Sequence, residues 1–191
     1  MFHAHYAAVR VFVHHLALPF PRHQRENFLR LGAAFLTRRS LPVRRLARTL
    51  AGPSRSHRAA DKRLRRFLGN PRLDEPTRDA ALAAYLRFLL PRFGARSFVP
   101  VMLDWTFIKG KAILWAQIPY RGRSFPLLAH VQGFPKAQDE VGRTACEQHL
   151  LPRLRHAWPK EAPEPLLLMD RGFDKGPLLS WLLSQEIRIL D

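Results

Sequence analysis

Apolar residues in the first half of the chain recur at the three- and four-residue spacing of amphipathic helices. The pattern predicts four helices there: Arg25–Arg38, a second that Ser40 caps and Gly52 ends, His57–Leu68, and a fourth from Asp74 to Pro91. Pro42 falls in the first turn of the second helix, where its missing N–H is harmless. Ser56 is expected to cap the third helix, and Gly69 stops it. We therefore expect residues 1–97 to form a helical domain.

Near residue 98 the pattern changes to strand-forming apolar runs separated by short turns with glycine. Short turns between the first three runs indicate an antiparallel meander. A helix, which Pro152 is expected to kink or split, then alternates with further strands. The predicted elements are Val99–Ile108, Ala112–Tyr120, Phe125–Val131, Gln138–Trp158, Leu166–Met169, Leu178–Gln185 and Ile187–Leu190.

This succession reads β-β-β-α-β-α-β. Right-handed crossovers then allow the first and fourth strands to lie side by side in a mixed sheet. The order is that of the ribonuclease-H-like fold. We therefore expect an α/β domain over residues 98–191 and an α+β chain overall.

Charge divides the chain at the same place. Of the formal net charge of +17, residues 1–98 carry +15, from 20 basic and five acidic side chains, and residues 99–191 carry +2, from 12 and ten. Such asymmetry predicts that the helical half binds a polyanion. Nucleic acid is expected rather than a membrane, because no continuous apolar face accompanies the cations and no apolar run reaches membrane-spanning length. The single cysteine, Cys146, excludes a disulfide scaffold and a cysteine-based zinc site.

The second and third predicted helices flank a tight turn at Gly52-Pro53, and the later helix is strongly basic. This arrangement resembles a helix-turn-helix unit that reads DNA with its second helix. The alternative is a small helical bundle with a solvated cationic face. The candidate DNA-binding residues are Arg55, Arg58, Lys62, Arg63, Arg65 and Arg66.

Two aspartates occupy positions where apolar side chains are expected. Asp104 interrupts the first predicted strand, and Asp170 directly follows the fourth. Each carboxylate could simply accept backbone N–H bonds at a strand end. On neighbouring strands, however, the two would repel each other unless a hard divalent cation such as Mg²⁺ lay between them. Beside a DNA-binding half, such a centre suggests in-line phosphoryl transfer.

Three segments carry a resemblance to a known family. The segments Leu103–Thr106 (Leu-Asp-Trp-Thr) and Met169–Phe173 (Met-Asp-Arg-Gly-Phe) are similar to the first two catalytic blocks of DDE transposases of bacterial insertion sequences. The closest group has a Tyr-Arg-Glu-Lys signature as its third block. The basic stretch Lys62–Leu68 also resembles that group's DNA-binding region. The similarity covers most of the chain from about Arg25.

The resemblance implies a ribonuclease-H-like core in which two aspartates and one glutamate hold two Mg²⁺ or Mn²⁺ ions. Such a core nicks transposon ends and joins the freed 3′-hydroxyl to target DNA. Asp104 and Asp170 would be metal ligands, and Arg171 would be a catalytic residue beside the metals near a phosphate. Thr106 would support the first strand. The implied partner is DNA, bound by a possible dimer in the bacterial cytoplasm.

No Tyr-x-x-Arg-x-x-x-Glu pattern occurs in the 191 residues. We therefore expect a truncated transposase whose metal site and catalytic domain are incomplete, and which is inactive alone. An alternative is a non-catalytic DNA-binding protein that occupies transposon ends. A basic RNA-binding protein is a third interpretation, although the N-terminal aromatic residues have the spacing of core positions rather than of exposed stacking positions.

Overall fold

The protein is described here by a computed structural model that covers residues 2–16, 18–38, 42–51, 56–94, 96–133, 140–173, 176–185 and 189–190. The chain divides into two compact units, Met1–Phe88 and Leu89–Asp191. Over the described residues the first unit is helical, and the second is built on a mixed β-sheet. The predicted change from helices to strands is therefore observed.

The first unit contains one helix more than the sequence predicted. Its described helices are α1 (Phe2–Leu16), α2 (Arg22–Arg38), α3 (Val43–Ala51), α4 (His57–Leu68) and α5 (Glu75–Leu89). Helix α1 was not among the predicted helices, because histidines interrupt its apolar pattern. Val9, Val13 and Leu16 nevertheless lie on one face and are buried. Against that face, a Cβ atom added to Gly32 of α2 would lie 3.1 Å from Val9 Cγ1, so α1 and α2 pack closely.

Two apolar clusters hold this unit together. In one, Ala34 of α2, Leu46 of α3, and Leu64 and Phe67 of α4 pack together. The other joins α1, the segment that follows it, and α2, with side chains of α5 packed against it. Its buried members are Val9, Val13, Leu16, Leu18, Phe20 and Leu29. The first cluster fixes α4 against α2 and α3, and this packing decides which of its basic residues face outward.

The helix ends confirm some predicted caps and correct others. Asp74 caps α5, because its Oδ1 accepts the N–H of Thr77 at 3.0 Å. Gly69 ends α4 as predicted. Ser56 occupies the predicted N-cap position of α4, but its side chain makes no capping hydrogen bond, so only the position is confirmed. Pro42 precedes α3 instead of lying in its first turn, and Ser40 and Gly52 lie outside the described residues.

The second unit has the predicted order of elements. Its described elements, besides short 3₁₀ turns at Leu90–Phe93 and Arg171–Phe173, are β1 (Phe98–Ile108), β2 (Lys111–Tyr120), β3 (Arg123–Gly133), α6 (Glu140–Ala157), β4 (Glu164–Leu168), α7 (Gly176–Ser184) and β5 (Ile189–Leu190). The strands lie in the order β3-β2-β1-β4-β5. The pairs β1–β2 and β2–β3 are antiparallel, whereas β1–β4 and β4–β5 are parallel. The predicted contact between the first and fourth strands is confirmed. Pro152 lies inside α6 and does not split it.

Two tight turns set the register of the meander. Lys109 and Gly110 have φ values of 46° and 76°, and Arg121 and Gly122 have φ values of 50° and 73°. Positive φ at both central residues is the type I′ geometry that matches the twist of a two-residue hairpin, and glycine adopts it without strain. The first turn pairs Ile108 with Lys111, so β1 and β2 continue in register to Met102 and Gln117.

The two faces of the sheet differ in burial. Val99, Val101 and Leu103 of β1 are buried on one face, which we call the covered face. Alternate residues of β2 are buried beside them: Ala112, Leu114, Ala116 and Ile118. Helix α6 contacts this face, because Trp105 Nε1 donates a hydrogen bond to Glu147 Oε1 at 3.0 Å. Asp104 lies on the opposite face, whose β1 and β2 residues are mostly half-buried.

Two neighbouring leucines of α7 provide a test of its packing. Leu182 is fully buried, whereas Leu183 is 70% exposed. Leu182→Ala is expected to lower the free energy of unfolding by about 2–5 kcal/mol, because it removes buried methyl groups and leaves a cavity. Leu183→Ala, the matched control, should change it by less than about 0.5 kcal/mol. Urea titration measures both values, and similar losses for the two variants would contradict this packing.

Candidate functional site

The pairing of β1 with β4 relates the two predicted site aspartates. The first five residues of β1 each pair with the residue 66 positions later, from Phe98 with Glu164 to Met102 with Leu168. The observed pairing ends there, and Asp104 and Asp170 each lie two residues beyond the last pair. Aligned residues of parallel strands point to the same face, and neighbouring strands lie about 4.8 Å apart. Continued by two residues, the same register would set the two aspartates side by side on one face, with Asp104 inside β1 and Asp170 just after β4.

The two carboxylates make different local contacts. Asp104 is half-buried, and its Oδ2 accepts a hydrogen bond from Thr106 Oγ1 at 3.4 Å. Asp170 is exposed, and its Oδ1 accepts the backbone N–H of Gly172 at 2.8 Å. Its backbone carbonyl accepts the N–H of Phe173 at 3.0 Å. Asp170 therefore makes the strand-end contact that the simpler interpretation predicts, whereas Asp104 contacts only a side chain in the described structure.

Each carboxylate keeps one oxygen that accepts no hydrogen bond from the described residues: Oδ1 of Asp104 and Oδ2 of Asp170. Gly172 sets the position of the second carboxylate, since a Cβ atom at this residue would lie 3.0 Å from Asp170 Oδ1. The short turn Arg171–Phe173 thus holds Asp170 directly beyond the end of β4. Its first residue, Arg171, follows the site directly, but its side chain lies outside the described part of the structure.

A second acidic side chain supports β1 from the covered face. Glu147 of α6 is fully buried and accepts the indole N–H of Trp105, the residue next to Asp104. The adjacent Cys146 is buried too, and burial, together with the negative charge of Glu147, raises the pKa of its thiol. A neutral buried thiol is a packing residue, not a nucleophile. No local sequence pattern indicates this contact, because 42 residues separate Trp105 from Glu147.

Trp115 is another neighbour that sequence analysis did not identify. It pairs directly with Asp104 across β1 and β2, so the half-buried indole lies beside the carboxylate on the same face. The two-residue turn at Lys109-Gly110 is the sequence signal for this pairing, because it fixes the register of the whole hairpin. Among the described residues, no group of three or more histidine, cysteine, aspartate or glutamate side chains is placed to hold a metal ion.

Five of the six candidate DNA-binding residues lie on α4. Arg58, Lys62 and Arg65 recur at helical spacing on the side opposite the buried Leu64 and Phe67, with Arg66 beside them, and these four are exposed. We call these four residues the basic face of α4. Arg55 belongs to the predicted turn and lies outside the described residues.

Two of the candidate DNA-binding residues, Arg63 and Arg65, also make contacts within the first unit. Arg63 lies nearer the core, where its Nε donates to Asn27 Oδ1 of α2 at 2.9 Å. Arg65 Nε pairs with Asp61 Oδ2 at 2.8 Å, one helical turn earlier. In the described residues, Arg58, Lys62 and Arg66 have no such partner. These three therefore contribute the least neutralised charge of the basic face.

The hydrogen bond between Trp105 and Glu147 gives a measurable stability effect. Trp105→Phe is expected to lower the free energy of unfolding by about 1–3 kcal/mol, because it deprives a buried carboxylate of a donor. Trp115→Phe is the matched control: it makes the same change at an indole without a hydrogen-bond partner in the described structure. Chemical denaturation measures both, and equal losses would show that the bond contributes nothing specific.

Two features of the described structure are therefore candidates for function: the aspartates in β1 and just after β4, and the basic face of α4. None of the helices among the described residues is long and apolar enough to cross a membrane. No protein-family model matches the chain, and no curated protein matches it significantly.

Proposed function

We propose that this chain is the DNA-binding and metal-binding part of a DDE-type DNA transposase, with a ribonuclease-H-like sheet and a helix-turn-helix unit formed by α3 and α4. The observation that carries the proposal is the register of β1 and β4, which, continued by two residues, would set Asp104 opposite Asp170. The strand order β3-β2-β1-β4-β5, with an antiparallel meander and parallel crossovers, supports the ribonuclease-H-like assignment. The similarity of the two aspartate segments to catalytic blocks of that family supports the reaction.

The surroundings of the two carboxylates fit a divalent cation. Two adjacent carboxylates repel each other, and a hard cation that binds oxygen ligands relieves that repulsion. The oxygens Asp104 Oδ1 and Asp170 Oδ2 are not used by other described residues, so both are available as ligands. Thr106 and the Gly172 N–H engage the other two oxygens and orient the carboxylates. Asp104 and Asp170 would therefore hold Mg²⁺ or Mn²⁺.

When bound, such ions activate the attacking oxygen and stabilise the leaving oxygen in an in-line displacement at phosphorus. The chain's own contribution is to position the phosphodiester, and we assign Arg171, which directly follows Asp170, to a phosphate oxygen. The described residues bring together two acidic ligands rather than three. We therefore propose that efficient strand cleavage requires a glutamate supplied in addition to Asp104 and Asp170.

The basic face of α4 supplies the proposed DNA contact. Its cations lie on one side of a helix that is fixed against α2 and α3 through Leu64 and Phe67. A rigid row of cations suits the phosphate backbone, and a helix of this size fits the major groove. We place this binding on transposon ends and target DNA in the bacterial cytoplasm, with a dimer as the possible active form.

The basic face also favours a second candidate function, a protein that occupies transposon ends without cutting them. Such a protein needs the DNA contact of α4 but no metal site. A plasmid-nicking assay with Mn²⁺ separates the two candidates. In this assay the chain is mixed with a second polypeptide that carries the Tyr-Arg-Glu-Lys block. Nicking that is lost in Asp104→Asn supports the transposase. DNA binding without nicking in any divalent metal supports the second candidate.

Metal binding tests the paired carboxylates directly. Isothermal titration of the whole chain with Mn²⁺ should show binding that weakens about tenfold or more in Asp104→Asn and in Asp170→Asn, because each removes a charged oxygen ligand. Gly172→Ala should also weaken binding, since its Cβ displaces Asp170 without changing the net charge. Glu161→Gln, which removes an exposed acid from the same unit, is the matched control. Wild-type affinity in both asparagine variants would contradict the metal assignment.

Salt dependence tests the DNA contact. Replacing Arg58, Lys62 and Arg66 with alanine should weaken duplex binding and reduce the slope of log K against log[salt] by about three, because each phosphate contact contributes about 0.9. The control replaces three exposed arginines of the same unit, Arg72, Arg78 and Arg87, and removes the same charge. Fluorescence anisotropy at several salt concentrations measures both slopes. Equal changes in the two variants would show that only net charge matters.

A further inference from the structure

The turn between β1 and β2 ends in an exposed apolar tip. We call residues Phe107–Lys111 the hairpin tip. Phe107 is 54% exposed and Ile108 is 51% exposed, although both belong to the regular part of β1. Lys109 and Lys111, which flank Gly110, are exposed as well. Two large apolar side chains and two cations therefore share one projecting loop.

The other hairpin of the meander shows that this exposure is not a general property of the turn. The β2–β3 turn has the same backbone conformation and carries two cations, Arg121 and Arg123. Its aromatic residue Tyr120, however, packs on Phe93 and Phe125 at ring-centroid distances of 5.5 and 5.8 Å. Arg121 lies over the Tyr120 ring at 5.2 Å. The apolar residue next to that turn is thus covered within its own unit.

The apolar side chains of the hairpin tip point to both faces of the sheet. Phe107 lies on the covered face, where its ring stacks with Trp105 at a centroid distance of 6.4 Å and an interplanar angle of 19°. Trp105 is itself held by Glu147 through its indole N–H. Ile108 lies on the opposite face, which it shares with Asp104. The tip is therefore a wedge with a preorganised aromatic ring on one side and an aliphatic side chain on the other.

The wedge lies close to the paired aspartates. Phe107 is three residues beyond Asp104 along β1, about 10 Å at the rise of an extended strand. That length equals about three base steps of a DNA strand. A partner held at Asp104 and Asp170 would therefore reach the hairpin tip.

We propose that the hairpin tip inserts between the bases of DNA beside the paired aspartates, with Phe107 and Ile108 against unstacked bases and Lys109 and Lys111 against the flanking phosphates. Apolar side chains that enter a base step and partly unstack it are a known way of binding DNA, and lysines at the rim match the phosphate charge. Aromatic stacking on bases is also tolerant of sequence. This proposal rests on the proposed function, because it takes DNA to be the partner.

A comparison of gapped with intact duplex tests the wedge. The probe is a 40-base-pair duplex with a single-nucleotide gap and 2-aminopurine opposite the gap, titrated with the full chain. Insertion is cheaper where stacking is already broken, so the wild-type chain should prefer the gapped duplex roughly tenfold and increase the 2-aminopurine fluorescence. The double variant Phe107→Ala, Ile108→Ala should bind both duplexes equally and leave the fluorescence unchanged.

Two further variants keep the test decisive if the double variant folds poorly. Lys109→Ala with Lys111→Ala should lower the salt slope by about two, because it removes two phosphate contacts. Arg121→Ala with Arg123→Ala removes the same charge at the β2–β3 turn and should keep both the slope and the preference for the gapped duplex. A wild-type chain without that preference, or equal effects of the two charge variants, would overturn the proposal.

Two other outcomes identify where a failure lies. If the wild-type chain self-associates in sedimentation experiments and the double variant Phe107→Ala, Ile108→Ala is monomeric, the tip binds a second copy of the chain and the proposal is wrong. Normal Mn²⁺ binding without any preference for the gapped duplex would overturn the wedge alone. A wild-type chain that binds no Mn²⁺ but still prefers the gapped duplex would overturn the proposed metal site and support the insertion of the hairpin tip.

Discussion

The parallel pairing of β1 with β4 is the constraint on which the candidate active site depends. Backbone hydrogen bonds between the two strands fix an offset of 66 residues, and the same offset, continued by two residues, would bring together two acidic side chains that are distant in sequence. A slip of one residue would move one carboxylate to the other face of the sheet. Val99, Val101 and Leu103, which are buried on the covered face, hold β1 in place and oppose such a slip.

Support for Asp104 comes from both faces of the sheet. On its own face, Thr106 and the indole of Trp115 lie next to the carboxylate. On the covered face, Trp105 is anchored to the buried Glu147 of α6, so the end of β1 is joined to a helix as well as to its neighbouring strands. A divalent site needs its ligands held in place by surrounding contacts, because a small displacement weakens binding. The contacts around Asp104 meet that need.

The sequence predicts the element order well, because a change from helical to strand periodicity and two glycine turns are local signals. The turn at Lys109-Gly110 even fixes the pairing of Asp104 with Trp115, since a two-residue hairpin leaves one register. The register of β1 with β4 has no such signal, because β2, β3 and α6 separate the two strands in sequence and packing sets the offset. Likewise, the contact of Arg63 with Asn27 depends on how α4 packs on α2. Helix α1 was not predicted because histidines interrupt the helical spacing of its apolar residues.

Disulfide trapping measures the central juxtaposition most directly. In a Cys146→Ala background, Asp104→Cys with Asp170→Cys puts two thiols at the positions that the continued register would align, within the Cα separation of about 4.4–6.8 Å that a disulfide spans. Mild oxidation should crosslink this pair in the folded chain, whereas Met102→Cys with Asp170→Cys, two residues out of register, should stay reduced. A crosslink in the shifted pair and none in the aligned pair would show that the two carboxylates do not face each other.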